Sequence, residues 1–187
     1  FDVEIPEITA VSLFVDKEEI GSVGNTSMES KFFENMIAEL IALQGEYSDL
    51  KVRRAFANSK VLSADVTVGF DPTFPEVLDK KNAAMIGHGV TISKYTGARG
   101  KGGCNDANAE YLAYVRKVFE QNEVIWQIGE LGKVDQGGGG TIAYILAQYG
   151  AEVVDCGVPM LSMHAPLELV SKADIYMTYR AYSSFLK

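Results

Sequence analysis

Hydrophobic positions along the chain alternate between short apolar runs and longer stretches with helical spacing. Residues 8–15 (ITAVSLFV) are rich in β-branched and aromatic side chains, which predicts a buried strand. Farther on, hydrophobic residues recur at helical spacing, at Phe32, Phe33, Met36, Ile37, Leu40 and Ile41. This spacing predicts a helix, which Ser27 or Ser30 could cap and which Gly45 would end.

The rest of the chain repeats this alternation. Apolar runs predict further strands at residues 61–68, 83–95, 124–128 and 153–158. Helical spacing predicts helices after Asn105 or Asp106, at residues 141–149, and from about residue 167 to the C-terminus. Residues 97–103 are expected to form a glycine-rich linker. Strands and helices in succession indicate one α/β domain in which a sheet is flanked by helices.

Composition narrows the class of protein. The 187 residues are 47% hydrophobic and 22% charged, as in ordinary globular domains, so a disordered tail or a disulfide scaffold is excluded. Twenty-five acidic against 17 basic residues give a net charge of −8, which argues against nucleic-acid binding. Apolar runs fall short of the roughly 18 residues of a membrane span. Cys104 and Cys156 favour free thiols in a reducing compartment such as the cytoplasm.

Acidic side chains follow the first predicted strand. Glu18 and Glu19 lie in DKEEIGS, residues 16–22, at the end of a strand, where open α/β sheets usually bind ligands. In an extended segment the two side chains would point to opposite sides, so one could bind a metal while the other addresses a water. A solvated acidic loop is the alternative, which composition alone favours.

Two further side chains could complete a metal site. Asp65 lies in an apolar stretch, where a buried carboxylate needs a metal or a base as partner, whereas an edge position facing solvent is the alternative. His164 lies in the loop after the last predicted strand and is either a ligand or a structural histidine. Carboxylate oxygens together with an imidazole nitrogen suit zinc, manganese or cobalt.

A run of four glycines, residues 137–140, precedes a predicted helix, whose free N–H groups and dipole favour anions. The run lacks the Lys-Ser/Thr of a P-loop and the spacing of a dinucleotide site. It could let the backbone approach a substrate carboxylate or a reacting oxygen, or it could form a tight turn from strand to helix. His88, between two glycines, is expected to be structural or conformational.

Motifs along the whole chain resemble, in order, the C-terminal part of the M18 metallopeptidases, the aspartyl aminopeptidase and aminopeptidase I family. The motifs are DKEEIGS, SADV, GHGVTISKYTG, GELGKVDQGGGGTIA, VVDCGVPMLSMHAP and SKADIYMTYRAYSSFL, and they look closest to the bacterial aminopeptidase I branch. The resemblance implies a zinc-exopeptidase-like (phosphorylase/hydrolase-like) three-layer α/β fold with a mixed β-sheet between helices, incomplete at its N-terminus. It also implies a hydrolase that releases N-terminal amino acids from peptides.

The resemblance assigns roles to the candidate residues. Glu18 matches the family's general base, which takes a proton from the metal-bound water and delivers it to the leaving amine. Glu19 and His164 match two ligands of one metal ion, and Asp65 matches a ligand of the other. The implied cofactor is two divalent metal ions, zinc in the first place, with manganese or cobalt as alternatives.

Substrate contacts are expected from a second set of residues. Lys94 lies near a lysine of the family's substrate pocket, and Gly139 and Gly140 are expected to let the backbone approach the substrate. Eukaryotic aspartyl members carry a histidine three residues after the aspartate ligand. Val68 stands at that position here, which argues against a preference for acidic residues.

The family pattern also sets the expected domain organisation. One more histidine and a bridging aspartate, together with an inserted dimerisation domain, are expected upstream of residue 1. Residues 1–187 would then be the C-terminal portion of a catalytic domain, with only part of the metal site. Peptide substrates, a cytoplasmic homo-oligomer (a dodecamer by family resemblance) and no nucleic-acid or membrane partner are expected. The alternative is a non-catalytic structural or assembly fragment of such an enzyme.

Overall fold

The computed structural model describes residues 5–133 and 135–187, so the start of the chain and Val134, inside the GELGKVDQGGGGTIA motif, lie outside the described residues. Within the described ranges the α-helices are α1 (Phe32–Leu43), α2 (Asp49–Ala57), α3 (Ala109–Gln121), α4 (Ala143–Gln148) and α5 (Lys172–Phe185). The strands in these ranges are β1 (Lys60–Ser63), β2 (Thr67–Val68), β3 (Val90–Ser93), β4 (Tyr95–Ala98), β5 (Gly102–Asp106), β6 (Trp126–Ile128), β7 (Glu152–Gly157), β8 (Pro159–Leu161) and β9 (Leu169–Val170). Two 3₁₀ turns lie at Glu18–Ile20 and Pro75–Val77.

The central sheet has four strands in the order β1-β7-β3-β6. Strand β7 pairs in parallel with β1 and antiparallel with β3, and β3 pairs in parallel with β6. Strands β2, β8 and β9 form a second sheet, and β4 and β5 form a hairpin. The predicted α/β class with a mixed sheet is therefore confirmed.

Helices cover both faces of the central sheet, because side chains of β7 alternate between two cores. Val154 and Cys156 pack on one face against α3 and α5, in a cluster that also contains Val90, Ile92, Tyr111, Val115, Phe119 and Ala181. Val153 packs on the other face against Ile145 and Leu146 of α4. This gives the three layers that were expected. In the described part of the chain, no helix combines the length and apolarity needed to cross a membrane.

A fully buried carboxylate joins α5 to the loop before β3. Asp174 Oδ2 accepts a hydrogen bond from the Gly87 N–H at 2.6 Å, and Oδ1 accepts one from the Gly89 N–H at 2.8 Å. Both glycines have positive φ, 85° and 90°, a backbone conformation that other residues rarely adopt. The first turn of a helix suits the negative charge of Asp174. The carboxylate thus fixes the loop that carries the exposed His88.

The strand predicted at residues 8–15 is wrong. The segment is irregular and largely exposed, with Ile8 75% and Phe14 95% accessible to solvent. A run of β-branched residues forms a strand only where a neighbouring strand pairs with its backbone by hydrogen bonds. Among the described residues, no strand lies beside this segment. Pairing begins only at the isolated bridge between Asp16 and Ser27.

The linker predicted at residues 97–103 is also wrong, because these residues form the facing strand ends of a hairpin and the turn between them. Tyr95 of β4 pairs with Asp106 of β5, so the chain is still in a strand at residues 105 and 106. The following helix therefore starts later, where the Asn108 side chain accepts a hydrogen bond from the Tyr111 N–H at 2.7 Å.

Other boundaries differ by a few residues. The predicted strand at 61–68 divides into β1 and β2, which belong to different sheets, and the one at 83–95 begins only at Val90 after the glycine loop. Helix α1 is confirmed, but its N-cap is Lys31 rather than Ser27 or Ser30, although Ser30 Oγ accepts the Phe32 N–H at 3.2 Å. The last helix begins at Lys172, since β8 and β9 use the preceding residues. Helix α2 was not predicted.

Replacing Asp174 by asparagine is expected to lower the free energy of unfolding by about 2–4 kcal/mol, because one buried glycine N–H would lose its acceptor. Urea unfolding followed by circular dichroism measures the change. Glu110→Gln, an exposed acid in the first turn of α3, is the matched control and should change stability by less than about 0.5 kcal/mol. Equal unfolding midpoints for the wild type and Asp174→Asn would contradict the role of the carboxylate.

Candidate metal centre

The DKEEIGS motif forms a single 3₁₀ turn, Glu18–Ile20, held between two residues with left-handed backbone. Lys17 has a φ of 62° and Gly21 a φ of 92°, and the Gly21 N–H donates to the Glu18 carbonyl at 2.9 Å. Successive side chains of such a turn lie about 120° apart. The two glutamates therefore do not point to opposite sides, as an extended segment would require.

Glu19 and His164 meet across the fold. Glu19 Oε2 lies 3.3 Å from His164 Nε2, and both side chains are exposed. His164 lies between β8 and β9 with a φ of 66°, and its backbone N–H donates to Glu168 Oε1 at 2.7 Å. Two ligands of one tetrahedral zinc ion, each 2.0–2.2 Å from it, lie about 3.3–3.5 Å apart. The separation of these two atoms fits a shared metal ion as well as an ion pair.

Asp65 lies where the chain crosses from β1 to β2, directly over the end of β7. A Cβ atom on Gly157 would fall far inside van der Waals contact with the Asp65 carbonyl oxygen, so this crossing needs glycine. The residue is exposed, and it lines a shallow depression together with Ser93 and Thr141. Partial desolvation raises the pKa of Asp65, although the Val66 N–H, which donates to Oδ1 at 2.7 Å, opposes this.

Glu18 is half-buried beside these groups. Desolvation raises the pKa of Glu18, and the nearby carboxylates of Asp65 and Glu19 raise it further, whereas His164 lowers it. The negative charge of Glu19 also raises the pKa of Asp65, and the nearby His164 lowers it. The structure thus brings the four predicted residues Glu18, Glu19, Asp65 and His164 into one electrostatic neighbourhood.

The donor chemistry of this neighbourhood fits a zinc-type ion, with one carboxylate and one imidazole side by side. Among residues 5–133 and 135–187, however, no three His, Cys, Asp or Glu side chains converge closely enough to hold a metal ion. Glu19 and His164 therefore offer two candidate ligand atoms side by side, and Asp65 is a third candidate that does not converge with them. A metal ion bound here needs further ligands.

The glycine run forms strand-like contacts with the hairpin. The Gly97 N–H donates to the Gly139 carbonyl at 2.8 Å, and Gly140 packs so closely on Gly103 that a Cβ would lie 2.9 Å from its carbonyl oxygen. Helix α4 begins only at Ala143. The glycines are therefore not at a helix N-terminus, contrary to the prediction, and they serve close packing of two backbone segments.

Lys94 lies between β3 and β4, where its Nζ forms an ion pair with Asp106 of the hairpin. It does not line the depression that holds Asp65. The substrate-binding roles of Lys94, Gly139 and Gly140 stay predictions.

One residue of this region escaped the sequence analysis. Asp155 is buried in the middle of β7 and lines the same depression as Asp65. A carboxylate inside the apolar run VVDCGV was the signal that could have identified it, because a charge in a fully buried strand needs a specific partner.

The three-layer α/β fold with its mixed sheet agrees with the zinc-exopeptidase-like class that the sequence motifs imply. Comparison with known proteins identifies its family. The family profile "Aminopeptidase I zinc metalloprotease (M18)" matches residues 2–186. The chain belongs to the M18 aminopeptidase family.

Relatives in this family share high sequence identity. "Probable M18 family aminopeptidase 1" from Clostridium acetobutylicum is 58% identical over 178 residues, which are 95% of this chain and 38% of that protein. The protein of the same name from Thermotoga maritima is 46% identical over 183 residues, which are 97% of this chain and 41% of that protein. The chain thus spans about two fifths of the length of these relatives.

Solved structures agree with the fold. The crystal structure of aminopeptidase I from Clostridium acetobutylicum superposes with a TM-score of 0.82 at 57% identity, over 92% of this chain and 37% of that one. The M18 aminopeptidase from Thermotoga maritima gives a TM-score of 0.89 at 47% identity, over 93% and 39%. A yeast structure described as the mApe1 dodecamer gives 0.72 at 26% identity, over 91% and 36%.

Replacing Gly157 by alanine is expected to lower the free energy of unfolding by at least about 2 kcal/mol, because the new methyl group would force the Asp65 crossing away from β7. Thermal unfolding measures the change. Gly102→Ala is the matched control in β5, since its Cβ would meet the nearest atom at an ordinary 3.5 Å. If both variants unfold at the same temperature, the close crossing at Gly157 is refuted.

Proposed function

We propose that the protein is a metal-dependent aminopeptidase that releases N-terminal amino acids from peptides. The observation that carries the proposal is the Glu19–His164 pair, 3.3 Å apart, beside the half-buried Glu18. Membership of the M18 family and the aminopeptidase names of the relatives support it.

Each acidic residue has a distinct role in this proposal. Glu19 and His164 hold one metal ion and Asp65 holds the other. When bound, a pair of divalent ions activates a water and polarises the scissile carbonyl. Glu18 takes the proton of the attacking water and delivers it to the leaving amine. Its raised pKa suits both steps, because a general acid–base group works best when its pKa lies near the working pH.

The chain contributes one part of this site. We infer that residues 1–187 are the C-terminal portion of the catalytic domain. The chain spans 38% of its Clostridium relative, and the described residues offer two adjacent candidate ligands but no cluster of three, which supports this inference. A further histidine and a bridging aspartate would complete the ligand set. Zinc is the proposed metal, in line with the family's description as zinc metalloproteases, with manganese or cobalt as alternatives.

Assembly and location form part of the same proposal. The yeast relative is described as a dodecamer, which supports a homo-oligomer here. Cys104 and Cys156 are free thiols, which suits a reducing compartment such as the cytoplasm. A non-catalytic assembly fragment is the second candidate, favoured by the lack of a three-ligand cluster among the described residues.

Replacing Glu18 by glutamine in the complete protein is expected to lower kcat on an amino-acid p-nitroanilide about 10²–10⁴-fold with metal content unchanged, because the amide cannot carry the proton. Glu76→Gln, in the other 3₁₀ turn, is the matched control and should retain wild-type kcat. Full activity of Glu18→Gln at normal metal content would reject the assigned role. An inactive wild type with a full metal complement would favour the assembly fragment.

Replacing His164 by alanine is expected to lower the zinc content of the complete protein by about one ion per chain, because the ion that Glu19 shares would lose its imidazole ligand. Inductively coupled plasma mass spectrometry after dialysis measures the content. His88→Ala removes the other histidine, which is also exposed, and should leave the content unchanged. Equal zinc contents in the two variants would disprove the ligand assignment.

A further inference from the structure

A buried carboxylate lies at the centre of the sheet beside the candidate metal centre. Asp155 is 6% exposed, and it pairs in register with Ser63 of β1 and Ser93 of β3. Its Oδ1 accepts a hydrogen bond from Thr141 Oγ1 at 2.7 Å, and its Oδ2 accepts one from Thr96 Oγ1 at 3.0 Å. Each carboxylate oxygen thus has a hydroxyl donor from a different segment of the chain.

These two threonines belong to the segments around the depression. Thr96 lies on β4, and the next residue, Gly97, donates its N–H to the Gly139 carbonyl. Thr141 follows the glycine run, and its Oγ1 accepts the Ala143 N–H at 3.1 Å, which fixes the start of α4. Asp155 therefore binds the hairpin and the glycine run to the central strand at one point.

Asp155 lacks a positive partner in the part of the chain that the structure describes, where the ion pairs involve other residues. The charged residue that lines the depression beside it is Asp65, which is also acidic. The charge of Asp65 raises the pKa of Asp155, and the charge of Asp155 in turn raises the pKa of Glu18. A buried charge without a cation costs stability, and such a cost is typical of residues retained for function.

We propose that Asp155 is a positioning residue of the metal centre. Through Thr96 and Thr141 it fixes the two segments that flank Asp65, and its buried negative charge strengthens cation binding at that edge of the sheet. The inference rests on the proposed function, because it assumes that the centre binds metal ions. Groups that orient metal ligands in this way typically change metal affinity 10–100-fold when they are replaced.

The test is zinc titration of the complete, metal-depleted protein against a fluorescent zinc chelator, with zinc alone as the probe. Asp155→Asn keeps the shape of the side chain and removes its charge. It is expected to raise the dissociation constant for zinc about 10–100-fold. The Tm of the metal-depleted protein should stay at or above the wild-type value. Thr141→Val and Thr96→Val, which each remove one hydroxyl donor, should also weaken zinc binding. Thr96→Ser keeps the hydroxyl and should therefore bind zinc with wild-type affinity.

Thr91→Val is the matched control. Thr91 is equally buried on the neighbouring strand β3, and its hydroxyl has no hydrogen-bond partner within the described ranges, so zinc affinity should not change. Unchanged zinc affinity of Asp155→Asn overturns the proposal. A loss of zinc affinity that a lower Tm of the variant fully explains also overturns it, because Asp155 would then be a purely structural residue. Zinc binding without peptidase activity in the wild type would contradict the proposed function, while the Asp155 comparison would still stand.

Discussion

Strand β7 is the element on which the rest of the structure depends, because it is hydrogen-bonded along both edges and buried on both faces. Its neighbours β1 and β3 run in opposite directions relative to it, and its side chains from Val153 to Cys156 alternate between two separate cores. A shift of one residue in its register would move every side chain to the opposite face. The position of α4 on one side and of α3 and α5 on the other follows from this alternation.

The candidate metal centre is built on the end of this strand. Gly157 lets the Asp65 backbone cross directly above β7, and the chain then continues through β8 to His164. Asp65 and His164 thus lie on backbone segments that adjoin the end of β7, and the central sheet fixes the position of these segments. Glu19 reaches the same place from a short turn whose ends have left-handed backbone. The rigid sheet supplies the position, and irregular segments supply the candidate ligands, as is usual in open α/β folds.

The hydrophobic pattern predicts the helices and strands whose buried positions are periodic. It fails where strand pairing, or a mostly polar sequence, determines the secondary structure. Helices α1 and α3 and strands β6 and β7 follow from spacing alone, whereas α2, with Val52 and Phe56 buried among charged residues, gives too narrow an apolar stripe. Residues 8–15 have strand composition without a described partner. At the site, residue types and strand ends indicated metal chemistry, but the meeting of Glu19 with His164 depends on tertiary contacts between segments far apart in the chain, so the family motifs were needed to pair them.

Charge is the feature that links the site to the stability of the fold. Glu18, Glu19, Asp65 and Asp155 bring four carboxylates into one region around strand β7, and the imidazole of His164 is the basic group that acts on Glu18 and Asp65 there. Burial and mutual repulsion raise the pKa values of Glu18, Asp65 and Asp155, so each carboxylate is less stable when ionised than it would be in water. A divalent cation bound among these groups would oppose this effect, because its positive charge would attract the ionised carboxylates. Metal binding in this region would therefore stabilise the fold itself, through the same carboxylates that weaken it when no cation is bound.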